Sequence, residues 1–131
     1  MSEINYILDA SAVLALVHGE PGADVVESCV TQGAAICAVN LSEVVAKCTD
    51  LGLDAEAFRV WFARLGIVVL PADEALSFDA GVLRARTKGA GLSLGDRFCL
   101  ALAHTMCVPA VTADQVWKTF DPNPRCLCIR A

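Results

Sequence analysis

Short apolar runs alternate along the chain with longer stretches in which apolar residues recur every three or four positions. The short runs predict strands buried on both faces, and the longer stretches predict amphipathic helices. Strands are predicted at residues 4–8, 34–39, 67–70, 108–112 and 127–130. Helices are predicted at residues 11–17, 21–32, 41–50, 54–65, 73–88, 93–106 and 114–120. This alternation predicts an α/β fold, one domain over residues 1–131, with a parallel sheet of four to five strands and helices on both faces.

The composition is typical of a globular protein of the cytoplasm. Hydrophobic residues make up 56% of the 131 residues, yet no apolar run approaches the roughly 18 residues that a membrane-spanning helix needs. The first residues have neither the basic segment nor the cleavage site of a secretory signal. Seven cysteines are an odd number, and the pair Cys126 and Cys128 has no histidines at ligand spacing. We therefore expect a cytoplasmic protein with reduced thiols and no zinc site.

Four acidic residues stand at equivalent places in the predicted fold. Asp9 and Asp114 follow the first and fourth predicted strands. Glu43 lies in the first turn of the helix after the second strand, and Asp96 begins the helix that leads to the fourth. In right-handed β-helix-β units, the ends of strands and the beginnings of the following helices meet at one edge of the sheet. We therefore expect all four carboxylates at the carboxyl edge, where open α/β sheets bind their ligands.

Taken singly, each acid also fits a structural role at the beginning of a helix. Asn40 and Ser93 each precede one of these acids by three positions, as N-cap residues do, and the other two acids fit as N-caps themselves. Capping explains the positions, but it does not explain why acids recur at four such places. The recurrence favours a joint function.

A cluster of carboxylates predicts a metal site. Carboxylates held within about 4 to 6 Å repel one another unless a cation lies between them. Oxygen ligands select Mg²⁺ or Mn²⁺, and such a cation promotes attack of water on a phosphodiester. The net charge of −5 by itself argues against a nucleic-acid partner, but a cation bound by these acids neutralises much of that charge. Hydrolysis of a nucleic acid is the predicted reaction.

Two other classes of protein use acids at strand ends in such a sheet. A phosphoacceptor signalling domain expects paired acids after the first strand and a lysine after the last, whereas Asp9 stands alone and no lysine follows Lys118. A phosphatase with an aspartyl nucleophile expects a second aspartate where Ser11 stands. The sequence disfavours both classes.

The segments around the four acids read DAS at residues 9–11, NLSEV at 40–44, LSLGD at 92–96 and TAD at 112–114. In their order and spacing, over essentially the whole chain, they resemble the PIN-domain nucleases, in particular the VapC-type toxins of bacterial and archaeal toxin–antitoxin pairs. The resemblance implies a PIN-like sheet and Mg²⁺- or Mn²⁺-dependent endoribonuclease activity. It also implies a cognate antitoxin as partner, and assembly as a homodimer or a toxin–antitoxin hetero-oligomer.

The resemblance also assigns roles to individual residues. Catalysis and metal binding fall to Asp9, Glu43, Asp96 and Asp114, and contacts to these acids or to phosphate fall to Ser11 and Thr112. Val116 stands where many relatives carry a further acid. The resemblance therefore leaves open whether the site holds one metal ion or two, and whether the fourth acid binds metal directly or through water.

A basic cluster formed by Arg84, Arg86 and Lys88 precedes the segment Gly89-Ala90-Gly91. Its side chains either follow the phosphates of RNA or complement the dipole at a solvated helix end. The sequence leaves these two interpretations open.

Two alternative functions also stay open at this point. The first is a catalytically silent PIN-like module that binds RNA or protein, against which the presence of all four acids argues. The second is a housekeeping PIN nuclease outside any toxin–antitoxin pair. A short reading frame for an antitoxin-like, DNA-binding protein immediately upstream would favour the toxin.

Overall fold

A five-stranded parallel sheet forms the centre of the molecule. The computed structural model describes residues 3–121 and 123–131. The strands are β1 (Tyr6–Leu8), β2 (Ala34–Cys37), β3 (Val68–Leu70), β4 (Ala110–Thr112) and β5 (Cys126–Cys128). They are ordered β3-β2-β1-β4-β5, and every neighbouring pair is parallel. The predicted α/β class and the predicted sheet are confirmed.

Helices connect the strands in the described part of the chain. The α-helices are α1 (Ala10–His18), α2 (Ala23–Gln32), α3 (Ala38–Asp50), α4 (Ala55–Leu65), α5 (Glu74–Thr87) and α6 (Leu94–Met106). The 3₁₀ helices are Lys88–Ala90 and Gln115–Phe120. None of the helices described is long and apolar enough to cross a membrane.

The helices cover both faces of the sheet. Neighbouring residues of a strand point to opposite faces, and in β1 both Ile7 and Leu8 are completely buried. Ile7 packs with residues of α5, α6 and the buried Trp117. Leu8 packs on the other face with residues of α1 to α4, among them Val44. The central strand is therefore apolar on both sides, as the continuous apolar run predicts.

The beginning of α3 differs from the prediction, and the difference bears on the site. The sequence predicts a strand through residue 39 and a helix from residue 41 with Asn40 as its N-cap. In the structure β2 ends at Cys37, which is itself the N-cap, and α3 begins at Ala38. Ala38 and Val39 are apolar, so the hydrophobic pattern does not mark the change from strand to helix. The predicted capping role of Asn40 is wrong, and its side chain is free for other contacts.

The first predicted residues of β4 also lie outside the strand, which begins at Ala110 rather than at residue 108. Pro109 has no backbone N–H to donate, although its carbonyl oxygen accepts a hydrogen bond from Ile7 N at 3.0 Å. The register next to β1 is therefore kept, and the carboxyl ends of β1 and β4 lie side by side.

Candidate active site

The strand order creates a switch point between β1 and β4. From β1 the chain builds outwards through β2 to β3, and then crosses to β4 and β5 on the other side. Connections that leave the carboxyl ends of β1 and β4 therefore diverge, and ligands of open α/β sheets bind in the crevice between them. Asp9 directly follows β1, and Asp114 lies two residues after Thr112 at the end of β4. Two of the four predicted acids thus stand at this switch point.

Asp9 is the buried acid of the site, with only 4% of its surface exposed. Its Oδ1 accepts a hydrogen bond from Ala12 N at 2.8 Å, and its Oδ2 accepts one from Thr112 Oγ1 at 2.5 Å. Ser11 Oγ donates to the same carboxylate and lies 2.7 and 2.9 Å from its two oxygens. These contacts fix the orientation of the carboxylate at the crevice.

Burial raises the pKa of Asp9 from 3.8 to about 6, although the hydrogen bonds to Thr112, Ser11 and Ala12 lower it; the negative charge of Asp96 raises it further. The folded protein therefore holds a negative charge at neutral pH in a place that disfavours it. A bound cation stabilises such a carboxylate.

Ser11 and Thr112 join the two strand ends around Asp9. Ala113 N donates a hydrogen bond to Ser11 Oγ at 2.9 Å, and Asp114 N donates one to Thr112 Oγ1 at 3.0 Å. Each hydroxyl thus contacts both the Asp9 carboxylate and the backbone that follows β4. Of the two roles expected for them, contact with an acid of the site is the one in the structure, and contact with phosphate stays a prediction.

Glu43 and Asp96 add two negative charges at the beginnings of α3 and α6. Burial raises the pKa of Glu43, and the negative charge of Asp96 is the second cause that raises it. Because Asp96 also raises the pKa of Asp9, it interacts with both of the other acids. The structure therefore brings these three carboxylates into one cluster of negative charge.

The capping roles are present as well. Ser93 N donates to Asp96 Oδ2 at 3.0 Å, and Asp96 N donates to Ser93 Oγ at 3.2 Å, which makes a capping box. Asp114 is exposed, and its Oδ1 accepts a hydrogen bond from Val116 N at 3.0 Å. Asp114 is not among the charges that shift the pKa of Asp9 or Glu43. Its carboxylate caps the following 3₁₀ helix, and its role as a metal ligand stays a prediction.

The donor chemistry of Asp9, Glu43 and Asp96 fits a hard divalent cation. Each supplies carboxylate oxygen, and the cation offsets their repulsion. In residues 3–121 and 123–131, no group of three or more His, Cys, Asp or Glu side chains is placed to hold a metal ion. Mg²⁺ does not require one, because proteins commonly hold it with one or two carboxylates while it keeps several waters. The site therefore fits Mg²⁺ or Mn²⁺ bound through few protein oxygens.

Arg86, from the basic cluster, is anchored away from these acids. Its Nη2 donates to Asn123 O at 2.8 Å, and its guanidinium carbon lies 5.8 Å from the centroid of the Phe120 ring. Asn123 precedes β5, near the edge where strands begin, whereas the acids lie where strands end. Arg84 and Lys88 are exposed. Contact of this cluster with RNA stays a prediction.

Sequence reasoning did not find the contacts that two residues, Asn40 and Gly95, make beside the acid cluster. Asn40 is completely buried, and its Nδ2 donates to Glu43 Oε1 at 3.2 Å and to Gly95 O at 3.0 Å. Gly95 lies in the first turn of α6, next to the Glu43 carboxylate. The sequence signal for Gly95 is a glycine inside a predicted helix, where glycine lowers stability relative to alanine.

Comparisons with solved structures agree with this fold. A chain of a toxin–antitoxin complex from Klebsiella pneumoniae has a TM-score of 0.72 and 18% identity, with 95% of this chain and 98% of that chain covered. For DNA-bound VapBC from Salmonella typhimurium the TM-score is 0.73 and the identity 16%, with 97% and 99% covered. For VapBC2 from Rickettsia felis, bound to a promoter DNA fragment, the TM-score is 0.72 and the identity 16%, with 94% of this chain and 97% of that chain covered. At these identities the likeness shows the fold alone.

The family of the chain is identified from its sequence. No curated protein matched it. The family model of the PIN domain matches residues 6–121, from the beginning of β1 to the residue after the last 3₁₀ helix, and so includes all four predicted acids. The chain belongs to the PIN domain family.

Proposed function

We propose that the protein is a Mg²⁺- or Mn²⁺-dependent endoribonuclease and the toxin of a VapBC-type toxin–antitoxin pair. The observation that carries the proposal is the buried Asp9 carboxylate at the switch point, close enough to Asp96 for the two charges to interact. Asp9 is also the N-cap of α1, but asparagine caps a helix equally well without the negative charge that burial disfavours. Membership of the PIN domain family and the likeness to toxin–antitoxin complexes support the same function.

The residues of the chain divide the work between binding and orientation. Asp9, Asp96 and Glu43 bind the cation, and Asp114 contributes at the rim of the site, either directly or through water. Ser11 and Thr112 hold the Asp9 carboxylate in one orientation. Glu43 Oε1 accepts from Asn40, which leaves Oε2 for the cation. The bound cation supplies Lewis acidity for the hydrolysis of the phosphodiester.

The partners follow from the same proposal. The substrate is RNA, and a cognate antitoxin binds the protein and inhibits it, in a homodimer or a toxin–antitoxin hetero-oligomer. The neighbouring structures named above come from toxin–antitoxin complexes, which favours the toxin over a housekeeping nuclease of the same family.

Cleavage of mixed cellular RNA tests the proposal. The purified chain, free of antitoxin, is incubated with Mg²⁺, with Mn²⁺ and with EDTA, beside Asp96→Asn. This variant keeps an oxygen that can accept from Ser93 N, so the capping box survives while the charge is lost. The matched control is Asp54→Asn, which makes the same change at the N-cap of α4, where Ala57 N donates to Asp54 Oδ2 at 3.2 Å.

Discrete fragments are expected with Mg²⁺ or Mn²⁺ from the parent and from Asp54→Asn, and none with EDTA or from Asp96→Asn. Cleavage that persists in EDTA, or in Asp96→Asn at the parental rate, would show that the metal site is assigned wrongly. Binding of RNA by the folded parent without any cleavage would support the silent PIN-like module instead.

A further inference from the structure

Asn40 connects the two helices that carry Glu43 and Asp96. It lies in the first turn of α3, and its Nδ2 donates to Glu43 Oε1 at 3.2 Å on its own helix and to Gly95 O at 3.0 Å on α6. Both partners are acceptors, so only the NH₂ group of the amide can face them. The orientation of the side chain is therefore determined by its two hydrogen bonds.

The other end of the Asn40 amide has no partner in the described part of the chain. Oδ1 is buried and accepts no hydrogen bond there. A buried acceptor without a partner lowers stability, and an apolar residue of similar size would avoid this. Asn40 therefore lowers stability at one end of its amide, and at the other end its NH₂ group holds Glu43 and connects α3 with α6.

Gly95 provides the space that the Glu43 carboxylate occupies. A Cβ built on Gly95 would overlap all three atoms of that carboxylate. Gly95 is buried in the first turn of α6, and its backbone does not have a positive φ. Because the backbone conformation does not require glycine, the close approach of Glu43 is the reason for it. Asp96 is the next residue, so the same contact sets the Glu43 carboxylate beside the second acid.

We propose that Asn40 and Gly95 are positioning residues that hold the Glu43 carboxylate against the first turn of α6, where it shares one divalent cation with Asp96. Asn40 holds the Glu43 carboxylate near α6 through its two hydrogen bonds, and Gly95 leaves the space that the carboxylate occupies because it has no Cβ. The inference rests on the proposed metal-dependent function and adds two residues that act on the metal through Glu43.

The substitution Gly95→Ala separates positioning from folding. Alanine favours a helix over glycine, and the atoms that its Cβ meets belong to the end of a flexible side chain, so the fold tolerates the change while the carboxylate moves. Gly81→Ala is the matched control, because Gly81 lies in α5 and a Cβ there meets nothing within 4 Å. Asn40→Ala is the second test, because it removes the hydrogen bonds to Glu43 Oε1 and Gly95 O.

The measurement is the affinity for Mn²⁺ by titration calorimetry, with no RNA present, beside urea unfolding of each variant. Changes in residues that hold a metal ligand typically lower metal affinity about 10- to 100-fold, and we expect a loss of this size for Gly95→Ala and Asn40→Ala. Gly81→Ala is expected to bind as the parent does. In a Glu43→Gln background, Gly95→Ala is expected to add little, because its effect passes through Glu43.

Three outcomes would overturn the inference. If Gly95→Ala binds Mn²⁺ like Gly81→Ala, the close approach of Glu43 has no role in metal binding. If Gly95→Ala weakens binding as much in the Glu43→Gln background as in the parent, it acts by another route. If the folded parent binds neither Mn²⁺ nor Mg²⁺, the proposed function fails as well, which the parent titration alone reveals.

Discussion

Asp9→Asn is expected to remove metal binding and yet to stabilise the metal-free protein. The asparagine Oδ1 can still accept from Ala12 N, and its amide can donate to Thr112 Oγ1, so the substitution preserves the shape of the site. It removes the negative charge that burial disfavours. The variant therefore separates the requirement for a metal ligand from the requirement for a stable fold.

The magnitude follows from the pKa of Asp9, which lies at about 6 in the folded protein and at 3.8 ordinarily. Because the folded state holds the proton more tightly, this group contributes stability below about pH 4 and loses that contribution as the pH rises through about 6. One pKa unit corresponds to about 1.4 kcal/mol, so the loss amounts to about 3 kcal/mol over the whole range. Weakened hydrogen bonds to asparagine offset about 1 kcal/mol, which leaves the variant about 2 kcal/mol more stable at neutral pH.

Urea unfolding with EDTA at pH 4, 5.5 and 7 measures this difference. Dilute protein is needed, since the sequence pI is about 4.8. Burial and Asp96 also raise the pKa of Glu43, but Asp9→Asn changes neither cause, so the contribution of Glu43 cancels between the two proteins. The stability of the variant relative to the parent should rise steadily with pH. A constant difference, or a parent that gains stability over the variant towards pH 7, would refute the reasoning.

Three further predictions concern the contacts around the acids and the basic cluster. Mg²⁺ at 100 times its dissociation constant should stabilise the parent by about 2.7 kcal/mol and should not stabilise Asp9→Asn. Equal shifts of the melting temperature of the two proteins in a thermal scan would show that Mg²⁺ binds elsewhere. Thr112→Val removes the donor to Asp9 Oδ2 and should lower Mn²⁺ affinity about 10- to 100-fold, whereas Thr112→Ser should restore most of it in the same titration. Arg86→Ala removes the contacts with Asn123 and Phe120 and should lower the free energy of unfolding by about 1 kcal/mol. RNA binding in a filter assay should not weaken. A clear loss of RNA affinity at unchanged stability would instead show that Arg86 contacts RNA.

The sequence predicted the elements of the fold better than the contacts between them. Apolar runs and helical spacing identified the five strands, and the position of Asp9 at a strand end placed it at the switch point. The beginning of α3 was predicted three residues late because Ala38 and Val39 suit a strand as well as a helix. That error assigned Asn40 to a cap, although its partners are Glu43 and Gly95. The contact with Gly95 spans 55 positions, and local spacing cannot reveal it.

Capping and metal binding are not alternatives at this site, because a carboxylate has two oxygens and several lone pairs. Asp96 uses Oδ2 to accept from Ser93 N, and Glu43 uses Oε1 to accept from Asn40 Nδ2. In the described part of the chain, no hydrogen bond is made to Asp96 Oδ1 or Glu43 Oε2, so each acid keeps one oxygen for a cation. The hydrogen bond that fixes one oxygen also orients the other. A residue at the beginning of a helix can therefore cap the helix and still offer an oxygen to a cation, so a fit to a capping pattern is no argument against a functional role.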